Sequence, residues 1–190
     1  MSTPSTPPGR KPRVDAERNR ARVLAAARAL FEERGEEVQM PEVARAAGVG
    51  TGTVYRHFPN RQALVLAAAE HRFAEILAFA RTEGPRDPAS GQGVSRYLQH
   101  VGRVLSEGRG LSAAMAAVLG SSAPQGEMHD LLAAAVGTLI SQDQAAGTLR
   151  SDFTVADVYL LVGALSAVIR TDAGDWQRFL ALTLDGLRPR

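Results

Sequence analysis

Cysteine is absent from this 190-residue chain, and lysine nearly so: Lys11 stands alone among 22 Lys and Arg. Without thiols there is no disulfide scaffold, no Cys-ligated zinc site and no thiol nucleophile. That composition suits a reducing compartment. Aromatic residues make up 5%, with a single Trp. No run approaches the ~18 uninterrupted apolar residues of a membrane span. Met1 to Pro12 lacks the apolar core of a secretory signal. The expectation is a cytoplasmic protein that does not engage a membrane. The four histidines, His57, His71, His100 and His129, are dispersed. Only His71 with Glu75 has ligand-like helical spacing, and one such pair does not make a metal site. His129 and Asp130 are chain neighbours, which do not face each other along a helix, and no nucleophile motif accompanies them. Gly48, Gly50 and Gly52 lack the preceding strand, the third glycine position and the following Lys of a phosphate loop. The sequence therefore predicts no enzyme, no cofactor and no metal.

What is present is charge of uneven distribution. The net charge is +2, and a pI of about 9.5 says little, because almost every cation is Arg, which does not titrate in the relevant range. The division along the chain says more. Residues 1–81 hold 13 basic against 9 acidic side chains, a balance of +4. Residues 82–190 hold 9 against 11, a balance of −2. A positive first part on a slightly negative second part suggests two tasks.

Ala, Leu, Arg and Glu dominate and β-branched runs are missing, so the chain reads as all-α. Residues 1–12, rich in Pro, Ser and Thr, read as a disordered basic arm. Arg10, Lys11 and Arg13 are its candidates for a minor groove. A helix from Asp15, as N-cap, to about Arg34 carries Val23, Ala27, Leu30 and Phe31 in one stripe. Two short helices follow, about 41–47 and 51–58, then a long one from Arg61 to about Arg81. The 82–93 stretch breaks helices. Beyond it, helices are predicted near 94–107, 111–121, 123–146, 154–171 and 174–187, about nine in all. Ser122 with Gln125, and Thr154 with Asp157, have capping-box spacing. The segments are a 1–12 arm, a 13–60 head, a 61–81 connector helix and an 82–190 body.

The most informative stretch is 38–69. Val43, Ala44 and Ala47 can face Val49, Val54 and Phe58, and Gly48 supplies a tight turn. This is the layout of a helix-turn-helix, whose second helix enters the major groove. That helix is chemically suited to DNA. Thr51 and Thr53 offer hydroxyls, Gly52 permits close approach, and Tyr55, Arg56 and His57 carry donors. Arg61 opens the next helix and can pair with phosphate.

Residues 18–77 resemble the DNA-binding domain of the TetR family of bacterial transcriptional regulators. The resemblance rests on Ala26-Ala27, Leu30-Phe31, Gly35, Val43-Ala44 and Ala47-Gly48-Val49. Most specific is the run Thr53-Val54-Tyr55-Arg56-His57-Phe58-Pro59-Asn60-Arg61-Gln62-Ala63-Leu64. It implies a homodimer on a palindromic operator in double-stranded DNA, and a helical ligand-binding and dimerisation domain. It also implies repression relieved by a small molecule. Thr51, Gly52 and Thr53 fall where family members touch bases and nearby phosphates. Tyr55, His57 and Arg61 match phosphate-contacting positions, and Arg56 a variable one. The chain departs from the family where Gln39-Met40-Pro41 replaces a frequent Ser or Thr, and where Arg61 replaces a frequent Lys.

In the body, His100, Met115, Leu119, Met128, Leu132 and Gln142 are candidate lining residues for a mainly apolar effector. Tyr159, Gly163, Ala164 and Ala167, with Trp176, Phe179, Leu180 and Leu184, are the candidate dimer face, read as half of a four-helix bundle. The rival expectation is a helical ligand-binding or interaction protein that does not use its helix-turn-helix on DNA.

Overall fold

A computed structural model of the chain describes residues 11–82 and 88–189. Among these residues every regular element is helical. α1 spans Lys11–Arg34, α2 Met40–Ala47, α3 Thr51–His57 and α4 Arg61–Thr82. α5 spans Gly93–Glu107, α6 Arg109–Leu119, α7 Gly126–Ala145, α8 Val155–Thr171 and α9 Trp176–Gly186. Single 3-10 turns occupy Gly35–Glu37 and Pro88–Ser90.

Two beginnings differ from expectation. α1 runs through Asp15 to Lys11, so Asp15 is helical and not a cap; Pro12 fits a first helical turn, where a missing N–H costs nothing. Lys11 and Arg13 thus belong to a helix, while Arg10 and the rest of the expected arm lie outside the described residues. α7 starts at Gly126 behind Gln125, so the Ser122–Gln125 spacing closes no capping box. The Thr154–Asp157 box does form. The Thr154 backbone N–H donates to Asp157 Oδ2 at 2.8 Å, and the Asp157 N–H returns a 3.4 Å bond to Thr154 Oγ1.

Two cores organise the chain. The first joins Val23, Ala27 and Phe31 of α1 to Val43, Ala44 and Ala47 of α2, Val54 of α3, Phe58, and Leu64, Val65 and Ala68 of α4. It also takes in Leu111, Ala114 and Met115 of α6. The head is therefore completed by a helix from the second half of the chain. That helix seats closely. A Cβ at Gly110 would collide with the backbone carbonyls of Phe31 and Glu32, so only glycine lets α6 approach the end of α1 this way. The second core gathers Ile76, Leu77 and Ala80 of α4 with the apolar faces of α5, α7 and α8, and with Leu180 of α9. α4 belongs to both, and Phe73 packs against each. Each fully buried Val, Leu or Phe contributes about 1.5–3 kcal/mol of burial.

α5 is begun from outside its own sequence. Gln92, its N-cap residue, makes no side-chain cap bond. Instead the buried carboxylate of Asp143 on α7 accepts the backbone N–H of Gly93 at 3.0 Å and of Val94 at 2.8 Å.

Candidate nucleic-acid interface and ligand cavity

α2 and α3 are joined by a glycine stop. Gly48 sits at φ 62°, ψ 39°, a left-handed conformation that side chains with a Cβ disfavour. The Val49 N–H reaches back to Ala44 O at 3.0 Å and the Gly48 N–H to Arg45 O at 3.1 Å, which satisfies the end of α2 in a Schellman arrangement. Arg22 of α1 adds a donor to Ala47 O at 2.6 Å and Gly48 O at 3.2 Å. The start of α2 needs no Ser or Thr. The Gln39 N–H donates to Glu42 Oε2 at 2.9 Å, and Arg34 holds the other carboxylate oxygen at 2.7 Å. The Arg34 hydrogen bond, and after it the Gln39 N–H, hold the Glu42 carboxyl below its usual range. Asn60 Oδ1 caps α4 by accepting the Ala63 N–H at 2.8 Å.

On this frame Val54 is the buried anchor of α3. Thr51, Gly52, Tyr55 and Arg56 are exposed, and Thr53 and His57 half-buried. The Tyr55 ring, 46% accessible, is a large side chain without cover. His57 tilts against Phe58 at 6.3 Å between ring centroids, and the Arg20 guanidinium lies 5.3 Å from the Phe58 ring. A Cβ at Gly52 would meet nothing within 4 Å, so no contact in the chain explains the missing side chain. Arg61 departs from expectation. Its guanidinium turns inward to Glu36 O at 2.6 Å and Val38 O at 3.3 Å, and lies 5.9 Å from the Phe31 ring. It braces the α1–α2 connection. The sequence could not reveal this, because the carbonyls it serves lie more than twenty residues upstream.

In the body, an apolar cavity of about 100 Å³ opens between α4, α5, α7 and α8, closed at one side by the 121–124 segment. Phe73, Ile76, Tyr97, Val101, Val136 and Val162 are among its walls. Of the six expected lining residues only Leu132 borders it. Met115 is in the head core, Leu119 packs against that core and Met128 against the body core. Gln142 is half-buried on α7, away from the cavity. His100 lines a separate surface cleft, stacked on Phe79 at 3.9 Å. There Nδ1 accepts from Arg103 at 2.9 Å, and burial, with Arg103, depresses its pKa. The polar groups at the cavity are Tyr97, Tyr159, Ser121, whose hydroxyl accepts the Ala123 N–H at 3.0 Å, and a hydroxyl pair, Ser122 and Ser166, 3.1 Å apart. Tyr97 and Ser166 were legible as polar breaks in apolar helical stripes.

The expected dimer face divides. Leu180 is buried in the chain's own core, and Trp176, Phe179 and Leu184 pack against it. The Trp176 ring fills the space beside Gly102. Leu180 thus serves the chain itself, while Trp176, Phe179 and Leu184 are half-buried and keep part of their surface open. What α8 and α9 leave open is Leu160, 71% accessible, Leu182, 56% accessible, and exposed Gly163. Ala164 and Ala167 are half-buried beside them. Tyr159 stacks on His129 at 4.8 Å and donates to its carbonyl at 3.1 Å. His129 and Asp130, expected to point apart, meet at 3.1 Å in the first turn of α7. Both are exposed. Among the described residues no cluster of metal-ligating side chains occurs, and no helix is long and apolar enough to cross a membrane.

Comparison with known proteins agrees with this architecture. Residues 23–68 match the family described as bacterial regulatory proteins, tetR family, and residues 89–189 the C-terminal domain of SbtR-like transcriptional regulators. A TetR transcription regulatory protein from Mycobacterium vanbaalenii is 37% identical, with 93% of this chain and 98% of that one aligned and a TM-score of 0.62. RolR, solved in complex with resorcinol, is 25% identical over 92% of this chain and 90% of its own, with a TM-score of 0.62. A helix-turn-helix-type transcriptional regulator of Staphylococcus aureus (strain USA300) is 43% identical over 53 residues, 27% of this chain and 29% of that protein. The curated relatives are thus matched over less than a third of their length. With both of its parts matched and a near full-length relative of the same kind, the chain belongs to the TetR family of bacterial regulatory proteins.

Proposed function

We propose that the protein is a sequence-specific transcriptional regulator that binds a palindromic operator as a homodimer and is released by a small molecule. The observation that carries this reading is α3. It is pinned by Val54 and otherwise presents Thr51, Gly52, Tyr55 and Arg56 outward, uncovered by the chain. Such a helix on a rigid three-helix core is what major-groove reading requires. Thr51, Gly52 and Thr53 meet base edges and adjacent phosphates; Tyr55, Arg56 and His57 meet the backbone. Residues 13–60 act as the reading head, 61–81 as connector and 82–190 as the regulatory and pairing body, with α6 bridging them.

The open Leu160 and Gly163 of α8 and Leu182 of α9 support pairing with a second copy, since large apolar side chains left exposed on helices are candidates for an interaction site. The cavity supports an effector. Phe73 and Ile76 of α4 line it, while Leu64 and Val65 of the same helix lie in the head core. A ligand that favours one tilt of α4 moves the heads. Coupling of about 1–3 kcal/mol lowers operator affinity about 5- to 150-fold, and a ligand with equal affinity for both states does nothing. RolR, similar over nearly the whole chain, was solved with a small aromatic ligand. Footprinting of DNA upstream of the protein's own gene tests the reading. A protected palindrome whose affinity falls steeply with salt is expected. A folded dimer that protects no site there or in genome-wide mapping overturns it.

A further inference from the structure

We propose that the cavity takes a small, uncharged, mainly apolar ligand of the phenol class, with one hydrogen-bonding oxygen held by the Tyr97 hydroxyl. The inference rests on reading the body as an effector domain, and it names the chemistry of that effector.

The walls exclude charge. No residue bordering the cavity is ionised at neutral pH. A carboxylate or ammonium entering it would lose its hydration with no opposite charge in reach, a large cost. The surroundings are Phe73, Ile76, Val101, Leu105, Leu132 and Val136, which favour an apolar body.

The polar anchor is Tyr97. The residue is only 5% accessible, yet its hydroxyl bonds to no described residue. Tyr97 is also one of the residues that border the cavity. Buried Tyr hydroxyls ordinarily find a partner. Here the partner position lies inside the cavity. Burial pushes the phenol well above its ordinary range, so at neutral pH it is protonated and donates. The other hydroxyls each have a partner in the chain: Ser122 with Ser166, Ser121 with the Ala123 N–H, and Tyr159 with His129 O. Tyr97 is the hydroxyl at the cavity with no partner in the chain, and an open donor in an apolar chamber calls for a ligand with an acceptor oxygen.

Size narrows the class. A dry cavity of about 150 Å³ accepts benzene, and this one measures about 100 Å³. One six-membered ring is therefore the upper limit, admitted as the irregular 121–124 segment gives way.

The test is calorimetric titration of the full chain at neutral pH with phenol, toluene and benzoate, three probes of one ring each. Phenol binds and benzoate does not. In Tyr97→Phe the ratio of phenol to toluene affinity falls about tenfold, the loss of one net hydrogen bond. The melting temperature does not fall, because the hydroxyl has no partner in the chain to lose. Benzoate binding as tightly as phenol overturns the proposal, as does a Tyr97→Phe ratio equal to wild type. So does a folded wild-type chain that binds neither neutral probe, whose cavity would then hold only solvent. The wild-type comparison of phenol with benzoate stands even where the variant folds poorly. Repeating the titrations on the DNA complex separates the two readings. Phenol binding that leaves DNA affinity unchanged upholds the ligand class and overturns release by effector. DNA binding by a chain indifferent to both neutral probes overturns the ligand class and leaves the reading of α3 on DNA standing.

Discussion

Replacing Gly52 by alanine separates the demands of folding from those of DNA. Gly52 is the second residue of α3, exposed, with ordinary helical backbone and open space where a Cβ would stand. Glycine is poor in a helix because it loses more chain entropy than alanine on folding. Where the new methyl meets nothing, Gly→Ala gains about 0.4–1 kcal/mol, which in a chain of this size raises the melting temperature by about 1–4 °C. If α3 lies against base edges, the same methyl occupies space that DNA needs. A misfit at one base step costs about 1–3 kcal/mol, a loss of about 5- to 150-fold in operator affinity. Thermal unfolding by circular dichroism and fluorescence anisotropy on the footprinted DNA read the two effects. A rise in melting temperature with unchanged affinity removes Gly52 from the interface. A fall in melting temperature refutes the account of α3 itself.

Gly110→Ala forces α6 off the carbonyls of Phe31 and Glu32; an overpacking cost of about 1–3 kcal/mol lowers the melting temperature by about 2–12 °C in the same melts. Leu160→Glu places a charge on the open face of α8, and sedimentation should show a folded monomer in place of the proposed wild-type dimer. Acid weakens two helix starts. Arg34 and the Gln39 N–H lower the pKa of Glu42, and the Thr154 hydroxyl and N–H that of Asp157. Groups held below their unfolded-state pKa stabilise the fold above that value and lose the contribution as pH falls through the folded-state one. Glu42→Gln and Asp157→Asn should each flatten the fall in melting temperature below about pH 5.

The helices were legible because Ala- and Leu-rich segments with a 3.6-residue stripe have few alternatives. The α2–α3 turn was legible because only glycine suits the Gly48 conformation. The reading was incomplete wherever a local signal had a non-local competitor. Ser122 and Gln125 have the spacing of a cap, yet the chain at 121–124 closes a cavity and α7 begins after it. Arg61 begins a helix as a free cation would, but its guanidinium is taken by carbonyls of the α1–α2 connection. Trp176 and Leu180 form a real stripe, and it faces α5 and the body core of the same chain. The cavity was hardest of all. A void is the place where several helices fail to touch, and no one helix records it. Its trace in the sequence was a polar atom on an apolar face, Tyr97 on α5 and Ser166 on α8.

The Asp143 carboxylate that receives the Gly93 and Val94 N–H groups has a consequence for how the chain can change over time. Because α7 decides where α5 begins, that start asks for no capping side chain from the exposed Gln92. Position 92 is free to change while the helix keeps its register, and the cavity walls on α5 stay aligned. The burden moves to one acidic side chain fifty residues away. Tolerance at position 92 and intolerance at position 143 are two sides of one arrangement, and relatives should vary at the first while keeping the second.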